Sequence, residues 1–205
     1  MESPNLDPVR GYIKASHRWT LDAVADLTPE QLAYHFGPTS PPLAWYLWHL
    51  ARSADRFQAS FSPRGDGNRN EPANPNRDLW HIEGIAAKWK LDPAKLGILE
   101  AGTVMSHEDA AALATQIDTT ALLEYARRTF AAADQVLDNL TDADLQGART
   151  SIMEFRVDNH VVSEAPGEPT THWEDIIFYF SHTSRHLGMM EALRGRLDLE
   201  GTITI

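Results

Sequence analysis

The amino-acid sequence predicts an all-α fold, a four-helix bundle with a long crossover between the second and third helices. Two observations carry this expectation. Four long segments repeat apolar residues at three- and four-residue steps, the signature of one buried helix face. Between the second and third lies a long excursion that opens with S-P-R-G-D-G-N-R-N-E-P-A-N-P-N-R, a Gly/Pro/Asn-rich tract that cannot continue a helix and has little to bury. Such an arrangement matches bundles in which one connection crosses over.

The first helix is expected from about Leu6 to Leu27, where Val9, Ile13, Thr20, Val24 and Leu27 share one face and Pro29 follows. The second is signalled by P-P-L-A-W-Y-L-W-H-L-A-R-S-A-D-R-F, with Ser40 as its N-cap, the prolines just inside the start, and Leu43, Leu47, Leu50, Ala54, Phe57 and Phe61 as its stripe. The tract after Phe61 reads as a surface loop. Short helices are expected around Leu79 to Lys90 and His107 to Thr115. The third long helix is capped by Asp118 or Thr119 and carries Leu122, Tyr125 or Ala126, Phe130, Ala133, Val136 and Leu140. Thr141 to Thr170 reads as irregular, with S-I-M-E-F-R-V alternating as a short strand or extended arm would. Thr171 and Glu174 have the spacing of a capping box, so the last helix should run from there to about Arg194, before Gly195.

At 205 residues a single domain spanning 1–205 is the expectation. A formal charge of -11 repels phosphate backbones and anionic lipid surfaces, which argues against nucleic acid and membrane as partners; the partner expected is a small-molecule substrate. The N-terminal residues lack the basic start and apolar run of a secretory signal, and no stretch has the length of a membrane span, so a cytoplasmic protein is expected. There is no cysteine, which excludes disulfides, a thiolate nucleophile, iron–sulfur ligation and thiolate-bound zinc. Any metal must be held by nitrogen and oxygen.

Histidines supply the one pattern with chemistry in it. His182 and His186 stand four residues apart, one turn apart on one face of the last helix, where they could hold a metal, pack, or relay protons. Helical phase puts them on a shoulder beside Tyr179, Met190 and Leu193, with Ile176, Phe180 and Leu187 at the centre of the apolar face. His49 falls on the flank of the second helix. Facing shoulders of two helices form a cleft wall, and three imidazoles with a water are a known catalytic metal arrangement. The other histidines, His17, His35, His81, His107, His160 and His172, have no paired spacing and read as structural or surface residues.

Over essentially its whole length the chain resembles the DinB-like superfamily of metal-binding four-helix proteins, related to bacillithiol- and mycothiol-dependent transferases and to YfiT-like metal-dependent hydrolases. The resemblance rests on P-L-A-W-Y-L-W-H-L-A-R-S-A-D-R-F and on H-W-E-D-I-I-F-Y-F-S-H-T-S-R-H-L-G-M-M-E-A-L-R-G, in the right order and with the crossover between them. It implies His49, His182 and His186 as ligands of a divalent metal, with zinc or nickel foremost and iron or copper as alternatives. It also implies a homodimer, and transfer of a low-molecular-weight thiol, bacillithiol or mycothiol, to an electrophile. The alternatives are metal-dependent hydrolysis and a non-catalytic metal-binding role in stress. Gly188 stands where related sulfoxide-forming iron enzymes carry a glutamate, so oxygen-dependent C–S bond formation is not implied.

Since the chain has no cysteine, thiol chemistry would use an external thiol. Arg56 shares a flank with His49 and is the candidate for a carboxylate of that cofactor. Arg52, Arg185 and Asp55 read as solvated surface residues, Tyr179 as a packing residue, and Trp45 and Trp48 as core or pocket wall.

Overall fold

The structure is a computed structural model that describes residues 5–61, 78–146, 148–149, 154–157, 160–163 and 170–203. Among these residues there are eight α-helices: α1 (Leu6–Asp22), α2 (Pro29–Leu32), α3 (Leu43–Phe61), α4 (Leu79–Ile82), α5 (Ile85–Lys88), α6 (His107–Gln116), α7 (Thr119–Asn139) and α8 (His172–Arg196). The fold is all-α. The surface-loop reading of 62–77 lies outside the described residues.

The four long helices α1, α3, α7 and α8 pack around one core: α3 lies against α7 and α8, and α1 lies against the same two. Their faces meet through Ile13 of α1, Leu47 and Leu50 of α3, Ala126, Phe130 and Leu137 of α7, and Ile176 and Met190 of α8, all at most 2 % exposed. Burying each such large apolar side chain contributes about 1.5–3 kcal/mol. The α3–α8 contact matters most for function, because it brings His49 opposite His182 and His186.

Helix ends follow local chemistry. Asn5 caps α1, Thr28 and Gln31 form a capping box on α2, and Asp118, rather than Thr119, caps α7. Thr171 and Glu174 form the expected capping box on α8. Helix α1 stops at Asp22, short of the expected Leu27, because the chain turns there to enter α2. Ser40 does not cap α3. Each residue before a proline is driven out of the helical region, so Ser40 and Pro41 are excluded and α3 starts at Leu43, its first turn closed by the Tyr46 N–H donating to the Pro42 carbonyl. Helix α8 runs through Gly195 to Arg196, two residues past the expected end. The helix expected around Leu79 to Lys90 is two short ones, parted at Gly84, whose φ of +61° favours glycine.

Between α7 and α8 the backbone forms two small antiparallel ladders: β1 (Ala148–Arg149) with β4 (Thr170–Thr171), and β2 (Glu154–Val157) with β3 (His160–Ser163). The strand expected in S-I-M-E-F-R-V is thus β2 in its second half, while 151–153 lie outside the described residues.

The crossover between α3 and α7 folds back over α3 instead of standing off it. Helix α4 and α6 both contact α3, and the turn at 96–105 sits on it. As a result α3 is buried nearly all round, with only Ser53 and Arg56 half-exposed. This overturns two expectations: His49 is not a flank residue but is 5 % exposed, and Arg52 and Asp55 are not surface residues but are fully buried. Helical phase reveals a single covered face, whereas α3 has two.

Candidate metal centre

Helix α3 supplies His49 and helix α8 supplies His182 and His186, one turn apart. The three rings meet edge to face, with centroids 4.9 Å apart for His49–His182, 4.8 Å for His49–His186 and 4.6 Å for His182–His186. One ring nitrogen from each lies within 4.8 Å of the others, a cluster that could hold a metal ion. A tetrahedral site with Zn–N of about 2.0–2.1 Å sets its nitrogens about 3.4 Å apart, within the span of this cluster, whose shortest pair is His49 Nε2 and His182 Nε2 at 2.9 Å.

Hydrogen bonding fixes the state of His49. Its Nδ1 is 2.5 Å from the Ala101 carbonyl, which can only accept, so Nδ1 carries the proton and Nε2 its lone pair. That Nε2 lies 2.9 Å from His182 Nε2, which therefore donates to it when both rings are neutral. A carbonyl behind a ligating histidine is the usual means of setting tautomer and ring orientation at metal sites. On the other helix His186 Nδ1 is buried with no hydrogen-bond partner among the described residues, an unmet demand that costs stability. A donor set of clustered neutral imidazoles, one with its lone pair turned inward and another holding an orphaned nitrogen, fits a divalent cation.

The surroundings keep the imidazoles uncharged. Burial, opposed by the Ala101 bond and reinforced by Arg185, lowers the pKa of His49 to about 4. Burial and the two neighbouring histidines take His182 down to about 2, and burial and His49 take His186 to about 3, with Arg185 acting on both in the same sense. All three are neutral at pH 7, the form that ligates metal.

One side of the cluster is closed and the other is open to water. Trp45 stacks on His49 at 4.6 Å and 12°, its ring edge faces His186, and Tyr46 also lies against His186. Of the two tryptophans expected as core or pocket wall, Trp45 is the wall, while Trp48 is buried in the core against Trp80. His182 is half-buried, flanked along α8 by the exposed Phe178, whose ring lies parallel to it, and by the exposed Arg185. On α8 Ile176 and Leu187 are buried as expected, but Phe180 is only half-buried, and Tyr179, Thr183 and Met190 extend the buried face on the histidine side.

Arg56, the cation expected near His49, is half-buried and stands two turns along α3, about 10 Å along the axis. Arg185 is the cation whose charge reaches all three histidines. Tyr179 donates its hydroxyl to His17 Nε2 at 2.6 Å, His17 Nδ1 donates to Asp134 at 2.7 Å, and the chain ties α8, α1 and α7 together in the core. His172 is buried beside the Asp144 carbonyl.

Two features leave little trace in the sequence. Arg52 is held by Asp55 and Asp78, and by Tyr125, which also donates to Asp55. Burial works against its charge, but Tyr125, Asp78 and Asp55 outweigh burial and its pKa is raised. The second is the 96–105 turn, whose only sequence signal is the spacing of Gly97 and Gly102 in L-G-I-L-E-A-G-T. Gly102 has φ +87°, and a Cβ there would meet Trp45, Trp48 and His49 Nδ1 at 2.9, 3.0 and 3.2 Å.

The arrangement is that of a helical protein with a three-histidine cluster in the contact between two long helices. The chain belongs to the DinB superfamily, whose profile matches residues 12–190. A crystal structure of a conserved protein from Enterococcus faecalis is similar in fold, with a TM-score of 0.65 at 16 % identity, over 92 % of this chain and 94 % of that one. No curated protein matches the chain. Among the described residues no helix is long and apolar enough to cross a membrane.

Proposed function

We propose that His49, His182 and His186 hold a divalent metal and that the protein transfers a low-molecular-weight thiol to an electrophilic small molecule. The observation that carries the reading is the cluster itself: three neutral imidazoles in reach of one another, sealed behind His49 and open to water beside His182. A divalent ion supplies Lewis acidity there, which lowers the pKa of a thiol or of water. Neutral ligands support that role, because they leave the ion's charge undiminished.

The chain's own residues would do the rest. His49, held by Ala101, keeps its lone pair directed into the cluster, and Trp45 excludes water from its rear face. Arg185, exposed beside His182, would draw an anionic thiol to the open side. We assign it the carboxylate-holding role in preference to Arg56, which stands further along α3. In the transfer the thiol gives its proton to solvent, a C–S bond forms, and the bond to the leaving group breaks with its electron pair. The sulfur comes from outside the chain, since there is no cysteine.

The test is elemental analysis of untagged protein, wild type beside His182→Ala, followed by calorimetry of both with bacillithiol and mycothiol. Near-stoichiometric metal lost in the variant, with thiol binding in the wild type only, is the expected result. Metal without thiol binding turns the reading to hydrolysis. No metal under zinc, nickel, iron or copper supplementation overturns both.

A further inference from the structure

The crossover turn and the buried arginine beneath it act on one ligand. Arg52 is fully buried one turn beyond His49 on α3, and it donates from Nε to the Glu100 carbonyl at 2.8 Å and from Nη2 to the Leu99 carbonyl at 3.3 Å. Those two residues are left-handed without being glycine, at φ +56° for Leu99 and +51° for Glu100, a conformation that persists only when its surroundings hold it. The next carbonyl in the chain, Ala101, receives the His49 Nδ1 proton. Closing bonds from Gly102 N–H to the Leu96 carbonyl and between Ile98 and Thr103 complete the turn.

We propose that Arg52 is a positioning residue: by clamping the Leu99 and Glu100 carbonyls it holds the turn in its left-handed form, so that Ala101 fixes both the orientation and the tautomer of His49. This rests on the metal reading for its consequence, but the clamp itself is a property of the metal-free protein. Arg52 does not touch the cluster's open side. Its guanidinium is anchored from below by Asp55 and Asp78, lies 4.9 Å from the Trp80 ring centroid, and so offers the turn a rigid fork of donors in place of a mobile side chain. Trp80 Nε1 in turn donates to the Glu100 carboxylate at 2.6 Å, which pins the same residue from its side chain.

The experiment is long-range 1H–15N NMR of the imidazoles in chelator-treated protein, with zinc and nickel affinities measured on the same samples. Wild type should give a His49 signal of the Nδ1–H form with a strongly deshielded proton. Arg52→Lys keeps the charge but lacks the forked donors, and it should give mixed His49 tautomers and about tenfold weaker metal binding. Leu99→Val leaves Arg52 and its carboxylates in place and alters an exposed side chain. A β-branched residue resists the left-handed region, so this variant should move the same signal in the same direction and cost about fivefold in affinity. If Arg52→Lys fails to fold, Leu99→Val decides alone. A folded variant set with the wild-type His49 signal overturns the proposal. A His49 signal that shifts as expected in a protein that binds no metal sustains the clamp and overturns the proposed function instead.

Discussion

Replacing Gly102 by alanine should injure the protein at the point where the crossover meets the histidines. Two costs can be worked from the structure. The added Cβ keeps φ +87°, which is strained for any residue with a side chain and costs about 1–3 kcal/mol. It also meets the Trp45 ring at 2.9 Å and the Trp48 ring at 3.0 Å, and rings packed in the core yield only by moving neighbours, at about 1–3 kcal/mol. Together these give about 2–6 kcal/mol, and for a chain of this size the melting temperature should fall by at least about 4 °C. The third contact, 3.2 Å to His49 Nδ1, competes with the Ala101 bond, so zinc affinity should fall by about tenfold or more. Thermal melts in chelator, paired with metal competition titrations, measure the two separately. A melting temperature within about 2 °C of wild type together with unchanged affinity would refute the reasoning, since it would mean that the turn does not press on the histidine.

The remaining predictions concern charge and linkage. The folded pKa of His49 is lowered from 6.5 to about 4, so the unfolded chain takes up the proton first, and the contribution of His49 is complete above pH 6.5 and lost as pH falls through 4. In chelator at pH 5, His49 alone should remove about 2 kcal/mol of stability relative to pH 8, with His182 and His186 adding in the same sense. Urea midpoints at the two pH values test this, and a His49→Gln protein with an undiminished pH dependence would contradict it. Asp55→Ala leaves Arg52 with Asp78 as its carboxylate partner but strands the backbone N–H groups of Leu79 and Trp80, and should cost about 2–6 kcal/mol by chemical denaturation. Metal at 100 times its Kd should stabilise wild type by about 2.7 kcal/mol, with no such gain in His182→Ala. An equal gain in both would place the metal elsewhere.

The periodicity of four apolar stripes determined the helical class and its long crossover, because a helix that must bury one face writes that face into its sequence every three or four residues. The i,i+4 pair His182/His186 was legible for the same reason: helical geometry alone puts both rings on one side. Capping chemistry at Thr171 and Glu174 was local and equally readable. The burial of His49, Arg52 and Asp55 was not, since a residue's phase on its own helix says nothing about a second layer covering the opposite face, and that layer comes from residues 24 to 52 positions away. The same distance hid the Ala101 carbonyl that sets the His49 tautomer, because any residue offers a carbonyl and only tertiary placement selects one. Sequence therefore determined which side chains could ligate and which helices carry them. The packing of α3 between α8 and the crossover decided that they meet, that they stay uncharged, and on which side the cluster opens to water.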